Sequence, residues 1–297
     1  MWRLNVRHAP LNSRSAAMVR NLAAQVSSRY NGVAAFNYSQ YNTSVYTVPA
    51  TTPRADVVWD NCQNKSYTPS QLYSGRAHFK SVPIPANAVP ATGADGELSI
   101  WSPSTDQFWE FWKAKRVNGQ WHACWGGRID HASTSAGYFA DGMGASATGL
   151  AVAAGSIGIR ELQKGRITHA MNLLVVNAAA YYHYSYPAQR SDGWDPSNNP
   201  DAVPEGIRFR LDPRVNISQL HLTRIGRIVA RAAKTYGFIV TDKGGAVAVQ
   251  AESGTSLAHA RGRNPWGRLL GGTPGYDVLR NFPWKRLQAL PMDYGKP

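Results

Sequence analysis

The sequence predicts an α+β protein, mainly β. A jelly-roll-like β-sandwich over residues 33–252 carries one amphipathic helix at 220–236, between an N-terminal arm (1–32) and a C-terminal wrapping or docking tail (253–297). Three observations predict it. After Gly32 the chain alternates aromatic and polar residues, VAAFNYSQYNTSVYTVPA, as a half-buried sheet does. Asn118-Gly119, between two Trp-rich runs, supplies the positive φ angles of a two-residue hairpin turn. Residues 220–236 place Leu222, Ile225, Val229, Ala232 and Tyr236 on one helical stripe and Arg224, Arg227, Arg231 and Lys234 on another.

Taken in order, residues 13–30 carry Met18, Leu22 and Val26 at four-residue steps after Ser13, a candidate N-cap, and predict a short helix. From Gly32 to about residue 130 the chain reads as strands and loops. The hairpin register sets Val117 opposite Gln120, Trp112 opposite Trp125 and Trp109 opposite Arg128. One face then holds Phe108, Glu110, Trp112, Ala114, Trp121, Ala123, Trp125 and Ile129 and reads as core. The other holds Trp109, Phe111, Lys113, Lys115, His122, Arg128 and Asp130 and reads as a partly open surface. Residues 132–166 are Gly-rich loop with a helical turn at Ile159–Gln163. Strands follow at Ala170–Val176 and near Tyr181–Tyr186, and then a Pro- and Asp-rich loop, SYPAQRSDGWDPSNNPDAVPEG. After helix 220–236 come two short strands, FIVTD and AVAVQAE, and a Gly/Pro-rich tail from Ser253.

The net charge is +14, with 23 Arg among the 32 basic residues. Six Arg and no acid fall in residues 1–55, and seven basic against two acidic residues in 261–297, so the charge sits at the ends and suggests docking segments. With no recognisable binding module, this pattern argues against nucleic acid. The N-terminus lacks the apolar core of a Sec signal. The most apolar stretch, Ala170 to Tyr182, is interrupted by Asn172 and Asn177 and falls short of the ~20 residues a membrane helix needs, so no membrane insertion is expected. Cys62 and Cys124 can pair once, although two buried free thiols are favoured.

The motifs of metal, nucleotide and hydrolase chemistry are missing. No HExxH or CxxC organises the eight histidines, and no metal or cofactor is expected. Gly142 to Ala147 nearly spells GxGxxA but lacks the flanking strand and helix, and reads as a flexible Gly/Ala loop. For glycoside cleavage, which needs two carboxyls roughly 5–10 Å apart, Glu110 has aromatic company but no partner on its own strand. Asp130, Asp192, Asp195 or Glu205 would have to reach it through tertiary folding. Otherwise Glu110 is a buried carboxylate paired with an Arg. Sugar binding without chemistry needs less: Trp101, Trp109, Trp194 and Tyr138 are candidate platforms, with Arg128, Asp130, Gln189, Arg190 and Asp192 as polar partners.

Eight separated blocks then carry a resemblance. YNTSVYTVP, WSPSTDQFWEFWKAKR, WHACWGGRIDHAS, GYFADGMGASATGL, RITHAMNL, YPAQRSDG, AVPEGIRFRLDP and ARAAKTYGFIVTDKGGAVAVQAE resemble the minor tail proteins of actinobacteriophages, the long-tailed siphoviruses of mycobacteria and their relatives. NPWGRLLGGTPGY and NFPWKRLQALPMDYGKP are similar too, so the resemblance covers nearly everything beyond residue 32. It implies a structural virion component of the tail tip or periphery, assembled in the host cytoplasm. Its partners would be other tail proteins and copies of itself, with host cell-wall glycan as a surface to adhere to. No catalytic residue is carried over with it. The alternative is a carbohydrate-active enzyme that cuts the host envelope during attachment.

Overall fold

The computed structural model of the protein describes residues 1–195 and 197–297; Pro196, inside the predicted Pro/Asp-rich loop, lies outside them. The architecture is α+β, as the sequence predicts. Six strands form one sheet in the order Ala35–Asn37, Ala248–Gln250, Met171–Val175, Phe238–Lys243, Arg208–Leu211 and Leu287–Ala289. Four form a second: Trp125–Asp130, Gln107–Trp112, Glu97–Ser102 and Thr43–Thr47. Both are mixed. Among the described residues four strand pairs run parallel, including Met171–Val175 with Phe238–Lys243 and Thr43–Thr47 with Glu97–Ser102, where a jelly roll has antiparallel neighbours throughout.

The larger sheet buries one face under helices Ser15–Ser27 and Arg224–Thr235. Met171, Leu173, Val175, Phe238 and Val240 meet Leu22, Val26, Ile225 and Val229 there. Helix Arg224–Thr235 is capped by Thr223, whose hydroxyl accepts from the Gly226 N–H at 2.9 Å. Its predicted basic stripe keeps Arg224, Arg227 and Arg231 in solvent. The first helix begins at Ser15, later than expected, and no side chain caps it, so Ser13 is not its N-cap.

The terminal segments join this same core. Leu287–Ala289 pairs with Arg208–Leu211, and Trp266, Val278, Leu279, Phe282 and Trp284 are buried with the helices. At the other end Arg208 and Arg210 reach from a fully covered strand to the carbonyls of Met1, Leu4, Val6 and Ala9 and hold residues 1–9 against the sheet. The N-terminal segment 1–32 and the C-terminal segment 253–297 thus both contribute side chains to the core of the larger sheet. The expected strand near Tyr181–Tyr186 is absent: Tyr181 and Tyr182 lie in a turn, and they and Tyr184 stand exposed. No helix among the described residues is long and apolar enough to cross a membrane.

The hairpin register is the predicted one, with Trp125 opposite Trp112, Arg128 opposite Trp109 and Val117 opposite Gln120. The face read as core is largely buried, at Glu110, Ala114, Trp121, Ala123, Trp125 and Ile129, but the other face is not the open one expected. Trp109 and Phe111, read as partly open, are 1% exposed and pack with Leu98, Ile100, Phe79 and Val82 in a second core. The opposite face, carrying Glu97, Ser99, Glu110 and Trp112, turns toward segment 137–155 and the larger sheet. Gly127 lies on that face because a Cβ there would sit 2.7 Å from Phe139 and 2.9 Å from Met143.

Candidate functional site

Where the two sheets approach each other they leave an open cleft of about 650 Å³. Strand ends supply its centre: Glu97 from the smaller sheet, and Leu174, Asp242, Lys243 and Gln250 from the larger. Trp112 and Trp125, neighbours across the hairpin, supply apolar surface. Three loops complete it, bringing Tyr67, Asp141 and Arg190 with Asp192. The Lys65 ammonium sits 4.9 Å from the Trp125 ring centre, and Lys113 covers Trp112 at 4.5 Å. Tyr67 is 67% exposed, so its ring is open to a ligand.

The cleft concentrates carboxyls in an environment that disfavours their charge. Burial pushes Glu97 well above the ordinary carboxyl range, and the charges of Glu110, Asp95 and Asp242 add to it. Its Oε2 is buried without a hydrogen-bond partner. Asp242 is pushed up to about 7, again chiefly by burial and further by Asp192, against the favourable N–H groups of Ala147 at 3.0 Å and Lys243 at 2.8 Å. Carboxyls pushed up in this way can carry a proton and donate it, or a hydrogen bond, to a ligand oxygen.

Of the nine residues proposed from sequence for sugar binding, the cleft gathers Arg190 and Asp192. Arg190 does not present its guanidinium to a ligand. It donates to the carbonyls of Ala147 (2.8 Å), Ser146 (2.9 Å), Gly144 (3.4 Å) and Gly142, and so clamps the wall segment 142–147. The near-GxGxxA run is therefore an anchored wall, and neither a phosphate loop nor a free one. Trp109 is core. Arg128 and Asp130 pair with each other at 3.0 Å, and Asp130 also accepts from Gln107 at 2.7 Å. Tyr138 packs edge-on to Tyr186, and Gln189 donates to the Pro187 carbonyl. Trp101 and Trp194 stand outside the cleft, although Trp194 is 69% exposed.

Glu110 is buried at 1% exposure and outside the cleft, and its partner is not an Arg. It accepts from the Val152 and Ala153 N–H groups at 2.9 and 2.7 Å and from the Ser99 hydroxyl at 3.1 Å. No protein-family model, no curated protein and no solved structure matches this chain. The site therefore rests on its own geometry.

Cys62 and Cys124 form a disulfide, with Cα atoms 5.4 Å apart, against the expectation of free thiols. Cys124 follows strand Gln120–Ala123, which pairs in parallel with Val57–Trp59, and this pairing brings the 60s segment within reach. The bridge pins the segment that carries Gln63, Lys65 and Tyr67 beside Trp125. Reduction is expected to lower stability by about 2–3 kcal/mol, because a long loop is freed in the unfolded chain. Thermal melts with and without dithiothreitol check this, and an unchanged melting temperature would mean that the bridge restrains nothing.

Proposed function

We propose that this protein is a component of a bacteriophage tail, at the tip or periphery, and that it holds host cell-wall glycan in the inter-sheet cleft. The observation that carries the glycan reading is the joint presence of Trp112, Trp125 and Tyr67 with Gln63, Gln71, Gln250 and several carboxyls along one open cleft. Flat aromatic faces take up sugar C–H surfaces, and amides and carboxyls bind hydroxyls, in a volume within the range of ligand sites. The sequence resemblance supports the virion reading, and so does a disulfide, which persists on particles outside the reducing cytosol. Tails have rotational symmetry, so self-association through complementary patches goes with this role, and many copies would convert weak single sites into firm attachment.

A second reading has its own observation. Glu97 and Asp242 both line the cleft, and burial pushes both carboxyls up toward the protonated state that a general acid needs for glycoside cleavage. One experiment separates the two. The purified protein is pulled down on isolated actinobacterial cell-wall glycan beside Tyr67→Ala and Trp112→Ala, and released sugar is assayed in the same tubes. Retention that falls about tenfold in both variants without released sugar supports adhesion. Sugar release that Asp242→Asn abolishes supports the enzyme. Absence of both retention and release overturns the glycan reading.

A further inference from the structure

From three carboxyls at one end of the cleft, we infer that the protein binds a hard divalent cation, calcium by its ligand chemistry. Asp192, Glu205 and Asp242 come from separate segments, and each places an oxygen within 4.8 Å of the others. An ion with oxygen bonds of about 2.4 Å spans that distance between opposite ligands. An acidic cluster alone would not be enough. The second observation is Glu205, which has no solvent exposure and whose Oε1 is buried without a hydrogen-bond partner. Its other oxygen accepts from the Asp192 N–H at 3.1 Å, which ties the carboxyl to the segment that carries the cluster.

Two cations pack nearby, and neither fills the place. Lys243 Nζ is 3.6 Å from Asp192 Oδ2 and donates to the Asp192 carbonyl at 2.6 Å, on the exposed side. Arg190 is held by the 142–147 carbonyls. A buried polar oxygen without a partner is costly, and a donor or a metal in this position would satisfy it. The all-oxygen set is that of Ca²⁺ or Mg²⁺, not of zinc, and the unequal exposure of the three carboxyls suits the flexible geometry of calcium better than the strict octahedron of magnesium. The ion would join the 190–193 loop to strand Phe238–Lys243 beside the cleft. This inference stands apart from the glycan reading, and its test contains no glycan.

Protein stripped with EDTA is titrated with CaCl₂, MgCl₂ and ZnCl₂ by calorimetry, and its melting temperature is followed with each. One calcium per chain is expected, with a raised melting temperature. Asp192→Asn, at an exposed position that leaves the fold intact, is expected to weaken binding by about tenfold or more, and Glu205→Gln to abolish it. The proposal is overturned if none of the ions gives heat or a thermal shift, or if Asp192→Asn binds calcium as the unaltered protein does. It is also overturned if zinc binds more tightly than calcium.

Discussion

Glu110→Ala is expected to lower stability by about 3–5 kcal/mol at pH 5, measured by urea unfolding. The side chain joins three elements. From strand Gln107–Trp112 it accepts the first two N–H groups of the helical turn Val152–Gly155, while Ser99, itself bonded to Thr43 at 2.6 Å, donates to it from the neighbouring strand. Truncation strands these buried donors and opens a cavity between the smaller sheet and the segment that separates it from the larger one. Asn172 depends on the same turn, donating to the Val152 carbonyl at 2.8 Å and to Gln250 Oε1 at 2.9 Å, and Gln250 lines the cleft. A loss under about 1 kcal/mol would show that the turn is held by packing and not by Glu110.

The same residue fixes a pH dependence. Burial pushes the Glu110 carboxyl up from its ordinary 4.5 to about 7, against the three donors. The folded value is above the unfolded one, so its favourable contribution is complete below about 4.5 and is lost as pH rises through 7. The loss amounts to about 3 kcal/mol. Glu97, Glu205, Asp242 and Glu252 are raised by burial and slope the same way. His78 opposes them. Burial, with the Arg128 charge, depresses it to about 4, so its contribution is present above 6.5 and lost as pH falls through 4. Five carboxyls that lose stability above about pH 4.5 outweigh one histidine, so stability should peak near pH 4 to 5 and fall from there toward pH 8. Glu110→Gln cannot ionise and should show a shallower fall over that interval; an identical slope would remove Glu110 as its cause.

The local devices of this fold were legible, and their assembly was not. Asn118-Gly119 admits one register, and the periodic stripe of Leu222, Ile225 and Val229 admits one buried face. Strand Gln107–Trp112 is covered on both faces, so alternation cannot say which face meets the apolar core: it makes Trp109 a surface platform and Trp112 interior, whereas Trp109 is core and Trp112 lines the cleft. Asp192 and Arg190 are legible because they lie in a polar loop. Glu97 and Asp242 lie far apart in the chain, in runs without a motif, and only the approach of the two sheets makes them neighbours of one cleft. A signal did exist. Each is the one acid of a strand whose other residues are mostly apolar or hydroxyl-bearing, where a buried charge needs a reason.

Arg190→Met should be the most damaging change at the cleft that touches neither its aromatic residues nor its carboxyls. Four carbonyls between Gly142 and Ala147 converge on one guanidinium, whose planar array of five donors can serve them together. Burial already makes this cation costly to hold, lowering its pKa, and its retention there means that the carbonyl cage outweighs the desolvation. Methionine fills much of the volume and supplies no donor, so the carbonyls must either stay unpaired or swing out to water. An expected loss of about 3–4 kcal/mol follows, with faster amide exchange across 142–149. The Ala147 N–H is one of the two donors to Asp242, so release of the wall also disturbs the carboxyl at the centre of the cleft. Arg190→Lys should recover only part of the loss, since one ammonium with three donors cannot span the same four acceptors. Hydrogen exchange decides the assignment: protection of 142–149 unchanged in Arg190→Met would mean that the wall holds itself, whereas lost protection there, with the helices still protected, would identify Arg190 as its clamp.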